Sequence, residues 1–226
     1  VTTLETDGAI RAESKGEHMK HLKSLGLAAL AVVALTATAG ASSAAAFEFH
    51  ASAGMGTSLS SQVTNPHFFT LTGAEFTCKT ISLTGSAEGI GGAGETQKLH
   101  PSYTNCEVFG SANVIINTEG CQYKINANTN TVDLEGCAKG GINVVFGTGC
   151  SYFYPNQAGI NGITYVNEGT TPNRRVIVKT ASNNIKANVT AANGFGCFFT
   201  EGGKHNNGKY SGEIRVTPSS GEFFWS

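Results

Sequence analysis

Beyond residue 46 the apolar residues of this chain come in short alternating runs separated by Gly, Asn, Ser and Thr, the pattern of strands joined by turns. The clearest hairpin is His67-Phe68-Phe69-Thr70-Leu71, the turn Thr72-Gly73, and Ala74 to Ile81, where Gly supplies the positive φ of a tight turn. Further strands are predicted at Ala112 to Thr118, Cys121 to Asn126, Thr131 to Glu135, Ile142 to Phe146, Cys150 to Tyr154, Gly162 to Asn167, Arg174 to Thr180, Asn184 to Thr190 and Lys209 to Thr217. Turn residues separate them at Glu119-Gly120, Asn128-Thr129-Asn130, Lys139-Gly140-Gly141, Gly147-Thr148-Gly149 and Ser182-Asn183. His100 reads as a strand end ahead of Pro101, His205 as an exposed residue in a turn from Gly202 to Gly208, and Gly85 to Gly94 as a flexible surface loop. No helical period is sustained after Ala46. About a dozen short antiparallel strands predict an all-β fold, a disulfide-stabilised β-sandwich or closed β-barrel.

The one different pattern lies ahead of this domain. Met19-Lys20-His21-Leu22-Lys23 is a positive start, Leu25 to Ala39 an apolar middle, and Ala44-Ala45-Ala46 a small-residue cleavage site, so 19–46 is expected to be a secretory signal peptide. The apolar run is shorter than the ~20 residues of a spanning helix, which predicts cleavage and no transmembrane anchor afterwards. Residues 1–18 are polar and aperiodic and are expected to be an upstream start artefact or a disordered extension. The segment 47–226 is then a single β-rich secreted domain.

Charge narrows the partners. The full chain carries 15 Lys and Arg against 16 Asp and Glu, and no block of either sign occurs after Ala46. Without a basic patch there is nothing to meet nucleic acid. The partners left open are a glycan, a cell-envelope component or a second copy of the chain.

All six cysteines, Cys78, Cys106, Cys121, Cys137, Cys150 and Cys197, follow the expected leader, in a product bound for a space where disulfides persist. None has C-x-x-C spacing or a histidine at ligand spacing, so no metal site is expected. Six cysteines admit many pairings that spacing alone does not decide. Hairpin midpoints favour sequential order: Cys78 with Cys106, Cys121 with Cys137 about Thr129, and Cys150 with Cys197. The order Phe76-Thr77-Cys78, His100-Pro101-Ser102-Tyr103-Thr104-Asn105-Cys106, Thr118-Glu119-Gly120-Cys121-Gln122-Tyr123, Cys137, Cys150, Val166-Asn167 and Tyr210-Ser211-Gly212 resembles a group of secreted actinobacterial six-cysteine proteins of unknown function. The resemblance implies a signal peptide, a β-rich disulfide fold and an extracellular destination, and it brings no catalytic residue or ligand.

Chemistry is sparse. After Ala46 the only aspartate is Asp133 and the histidines are His50, His67, His100 and His205, none in a hydrolase or metalloprotease motif. No catalytic residue, metal ligand or cofactor is predicted. Glu107, Glu119, Glu135 and Glu168 are candidates for a glycosidase carboxylate pair by elimination only. Arg174-Arg175 is a small basic spot that could meet an acidic glycan. Tyr152 and Tyr154 share the face of Cys150 and are assigned to the core; Phe153 faces the other way and, with Pro155-Asn156-Gln157, is a candidate carbohydrate platform. Phe195, Phe198 and Phe199 read as packing around Cys197. Phe223, Phe224 and Trp225, beyond the last clear strand, are candidate ligand or partner contacts. The expectation is a secreted, non-enzymatic binding or structural module at or near the cell surface; the alternatives are a carbohydrate-active hydrolase using a Glu pair and a self-assembling envelope protein.

Overall fold

The computed structural model describes residues 46–110, 112–147, 149–191 and 202–226. The extension 1–18, the leader 19–46 apart from its last residue, and Cys197 with Phe195, Phe198 and Phe199 lie outside the described residues. From Ala46 to Ser226 the chain forms one compact unit. It is all-β, with strands β1 (Phe49–Ala51), β2 (Ser58–Leu71), β3 (Ala74–Ser86), β4 (Ala93–Gly94), β5 (Thr96–Val108), β6 (Ala112–Asn117), β7 (Gln122–Asn126), β8 (Thr131–Glu135), β9 (Gly141–Phe146), β10 (Cys150–Pro155), β11 (Gln157–Ile160), β12 (Ile163–Glu168), β13 (Arg175–Ala191), β14 (Gly203–Pro218) and β15 (Phe223–Trp225). Among the described residues no helix is long and apolar enough to cross a membrane.

Eight antiparallel strands close into a barrel in the order β5-β3-β2-β14-β13-β10-β9-β6, and β6 returns to β5. Two long strands each serve two neighbours on one edge. β5 pairs β7 through Thr96 to Leu99 and β6 through Cys106 to Val108; β13 pairs β12 through Arg175 to Thr180 and β10 through Cys150's partner Ala191 back to Asn188. β8 and β11 extend the sheet beyond β7, and a separate three-stranded sheet, β15-β1-β4, joins the two ends of the domain. The interior therefore divides into two apolar clusters. One is built around Phe76, Val108, Phe146 and Tyr152, the other around Leu59, Leu99, Val176 and Val216.

Local turn chemistry sets the hairpins as expected. Thr72 and Gly73 take φ of 46° and 88°, the twist-matched conformation of a two-residue hairpin turn, and Leu71 faces Ala74 across it. Several predicted boundaries are corrected. Ser182-Asn183 is not a turn: β13 runs through it with register shifts between Ser182 and Ala187, and Asn184 at φ 61° absorbs the extra length as a bulge. His205 is half-buried within β14 and faces Ala187. His100 lies mid-strand in β5. Pro101 is tolerated beside it because its carbonyl accepts from Thr118 Oγ1 at 2.7 Å on the edge away from β3, so the missing N–H falls in the gap between β7 and β6.

The Gly85 to Gly94 segment is no flexible loop. Ala87 exchanges backbone bonds with Gly56 and Thr57, Ala93-Gly94 forms β4, and a Cβ on Gly89 (φ 89°) would come within 1.8 Å of the Ala93 carbonyl oxygen. Glycine is there for close backbone approach as well as for its φ.

Two disulfides follow the sequential order, Cys78–Cys106 between directly opposed residues of β3 and β5, and Cys121–Cys137 at the open end of the β7–β8 hairpin. Cys150 is disulfide-bonded as well, while its expected partner Cys197 is outside the described residues. Non-reducing peptide mapping is expected to return the Cys78–Cys106 and Cys121–Cys137 peptides, and a Cys106–Cys121 peptide would contradict this fold. Replacing Cys121 and Cys137 by serine, 16 residues apart, is expected to lower stability by about 3 kcal/mol, chiefly by freeing the unfolded chain.

Candidate functional site

A cavity of ≈ 80 Å³ lies where the two apolar clusters meet, walled by barrel strands together with β7, β8, β11 and β12. Its walls come from both halves: Leu83, Leu99, Ile125 and Ile163 on one side, Leu134, Ile142, Val144 and Ile185 on the other. Lining residues that share a strand stand two apart, as in Tyr123 and Ile125, Val132 and Leu134, and Ile142 and Val144, so the two-residue period that turns them inward also aims them at one point. Among the described residues no Asp, Glu, Lys or Arg lines the cavity.

Its polar groups are His67, Tyr123, Tyr154, Gln157, Thr180, Ser182 and Tyr210. His67, from β2, is 2% exposed, and its ring is seated against Gly212, where any Cβ would approach ring atoms to 2.5 Å. Its Nε2 faces the Glu213 carbonyl at 3.4 Å, which can only accept, so Nε2 carries the proton and Nδ1 accepts from the Tyr210 hydroxyl. Tyr210 then accepts from Tyr103 at 3.3 Å, and Tyr103 from Tyr123 at 2.8 Å. The result is a directed chain of neutral groups drawn from β7, β5, β14 and β2. Burial enforces that neutrality. It pushes His67 down to about 4 against the opposing effect of the Glu213 carbonyl, lifts Tyr123 to about 12, and raises Tyr103, Tyr154 and Tyr210 well above the ordinary phenol range. Gln157 is a clamp: its amide oxygen accepts from Lys186 N–H at 2.9 Å and its amide nitrogen donates to Lys186 C=O at 3.1 Å, fastening β11 to β13.

Ser182 and Tyr154 differ from these. They are 2% and 7% exposed, and neither side-chain oxygen has a hydrogen-bond partner among the described residues.

Of the residues singled out from sequence, Gln157 of the expected carbohydrate platform and Tyr154 line the cavity, Tyr152 is buried in the interior as assigned, and the other candidate site residues lie elsewhere. Glu107 pairs with Lys79 at 3.0 Å, Glu119 with Lys139 at 3.2 Å, Glu135 with Lys98 at 3.4 Å and Glu168 with Arg215 at 2.7 Å. Each carboxylate thus has its own cation, and the Arg215 hydrogen bond holds Glu168 below the usual carboxylate range. Arg174 forms a two-point pair with Glu222, at 3.0 and 2.8 Å, and its guanidinium lies 3.5 Å from the Phe224 ring centre; Arg175 donates to the Arg174 and Gly221 carbonyls.

Phe223 is buried, 1% exposed, and stacks on Phe49. Phe224 stacks on His50, and Trp225 stacks on Phe47 while Asn167 exchanges two hydrogen bonds with its backbone. Phe153 is half-buried on the outer face of β10, its ring over Gly141 of β9. Among the described residues no three His, Cys, Asp or Glu gather as a metal site.

The cavity's polar wall was missed at the level of sequence, although one signal was present. The chain has six tyrosines, all on predicted strands or in the quoted cysteine-flanking runs, and a tyrosine pointing inward needs a partner for its hydroxyl. No family model matches the chain, and no curated protein or solved structure is significantly similar to it, which leaves the cavity and its walls to speak for function.

Proposed function

We propose that this is a secreted, non-enzymatic binding module, acting at or near the cell surface, that takes a small molecule into the barrel. The observation that carries this reading is the ≈ 80 Å³ interior cavity with uncharged walls and unused hydroxyls. Closed eight-stranded barrels have an interior wide enough to hold one small ligand. Disulfides, which persist outside the reducing cytoplasm, support the extracellular destination. The one-to-one surface ion pairs of the four glutamates favour binding over glycoside hydrolysis, which needs two carboxylates facing one bond.

The test uses the protein recovered from culture medium of a host expressing the whole chain. Its intact mass should begin at Phe47. Xenon-129 NMR should show a saturable shift from entry into the cavity, and a broad polysaccharide panel should release no sugar. Absence of xenon entry would remove the binding site. Hydrolysis abolished by Glu→Gln at 107, 119, 135 or 168 would make the protein an enzyme.

A further inference from the structure

A barrel interior this apolar has little reason to contain a hydroxyl unless something pairs with it. Leaving one buried without a partner forfeits its hydration with nothing in return. Ser182 Oγ and Tyr154 OH are two such groups on one cavity wall system, reached from different strands, β13 and β10. Of the other polar wall groups, His67, Tyr123 and Tyr210 are committed to the tyrosine chain and Gln157 to the Lys186 backbone, which leaves Thr180 of β13.

The charge of any occupant is constrained as sharply. With no Asp, Glu, Lys or Arg among the described wall residues and His67 held neutral by burial, an ion entering the cavity would lose its hydration and gain no counter-charge. Size is constrained too. Water occupies about 30 Å³ in the liquid, so a cavity of ≈ 80 Å³ admits a molecule with roughly the bulk of a few waters.

We propose that the cavity selects a small uncharged molecule with a short aliphatic body and hydroxyl or carbonyl oxygen, which pairs with Ser182 Oγ and Tyr154 OH. This rests on the reading of the cavity as a binding site. Affinity comes from the apolar walls, and the two hydroxyls discriminate an oxygenated molecule from a plain hydrocarbon and a neutral one from its ionised counterpart.

The experiment compares ethanol with acetate on the full secreted protein by NMR titration, with xenon as a probe that needs no hydrogen bond. Ethanol should give saturable shifts at Ser182 and Tyr154, and acetate none at neutral pH. Ser182→Ala and Tyr154→Phe should each weaken ethanol by about five- to tenfold and leave xenon entry unchanged, which also shows that the variants are folded. Xenon entry with ethanol binding indifferent to both substitutions, or with acetate bound as well as ethanol, would overturn the ligand class and leave the binding site standing. Slowly exchanging water at Ser182 and Tyr154 that saturating ethanol does not displace would overturn it as well, assigning the hydroxyls to structural water. Failure of both xenon and ethanol to enter would overturn the binding reading itself.

Discussion

Phe76→Ala is expected to lower the stability of the domain by about 3–5 kcal/mol, the range for truncating a fully buried aromatic. Phe76 has no exposed surface, lies edge-on to Tyr152 with ring centres 5.0 Å apart, and packs on Phe146 at 5.2 Å. Its strand, β3, is held on both sides, by β2 and by β5 with the Cys78–Cys106 bridge two residues away. The backbone therefore cannot collapse into the space left behind, which puts the loss towards the upper part of the range. Ile115→Ala, at a residue 68% exposed, is the control and should change stability by no more than about 0.5 kcal/mol. Urea unfolding of the two variants with disulfides intact decides it. A Phe76→Ala loss no larger than the Ile115→Ala loss would mean that the barrel interior is not packed as described.

The second large effect is on pH. His67 is buried and neutral, with its folded value pushed down to about 4 from an ordinary 6.5. Between these limits the unfolded chain binds a proton that the folded chain does not, so stability must fall as pH drops through that window. The full difference amounts to about 3 kcal/mol. It is present above pH 6.5, is lost progressively down to pH 4, and changes no further below it. Glu168 and Glu222, both held below the usual carboxylate range by hydrogen-bonded arginines, lose their contributions only at lower pH. Chemical denaturation at pH 7.0, 5.5 and 4.5 should therefore show a steep decline in wild type and a shallower one in His67→Gln. Equal slopes would show that His67 accepts a proton in place, with the tyrosine chain reoriented around it.

What could be read from the sequence was local. Thr72-Gly73 dictates a tight turn by its own backbone preferences, and the alternation on either side then fixes which residues face inward, as Phe69 and Phe76 do across the hairpin. The same holds for β7 and β8, whose turn falls at the midpoint of Cys121 and Cys137 and so places that disulfide. Tyr152 and Tyr154 are buried on the face of Cys150 because period two leaves no other choice.

Where a strand's neighbours are distant in sequence, local signals misled. Ser182-Asn183 is turn-forming by composition, yet β14 lies alongside and supplies the pairing that draws it into β13 as a bulge. His100-Pro101 looks like a strand end, and only the changeover from β7 to β6 on one edge of β5 leaves room for a proline in mid-strand.

The cavity belongs wholly to the tertiary structure. His67 meets Tyr210 across 143 residues of chain, and Tyr103 meets Tyr210 across 107. Sequence by itself placed His67 and Tyr210 on strands, because strand formation follows from a few neighbouring residues, but it left Tyr103 outside every predicted strand. Only closure of the barrel decided that their side chains would share one interior, because that depends on which strands pair and in which register.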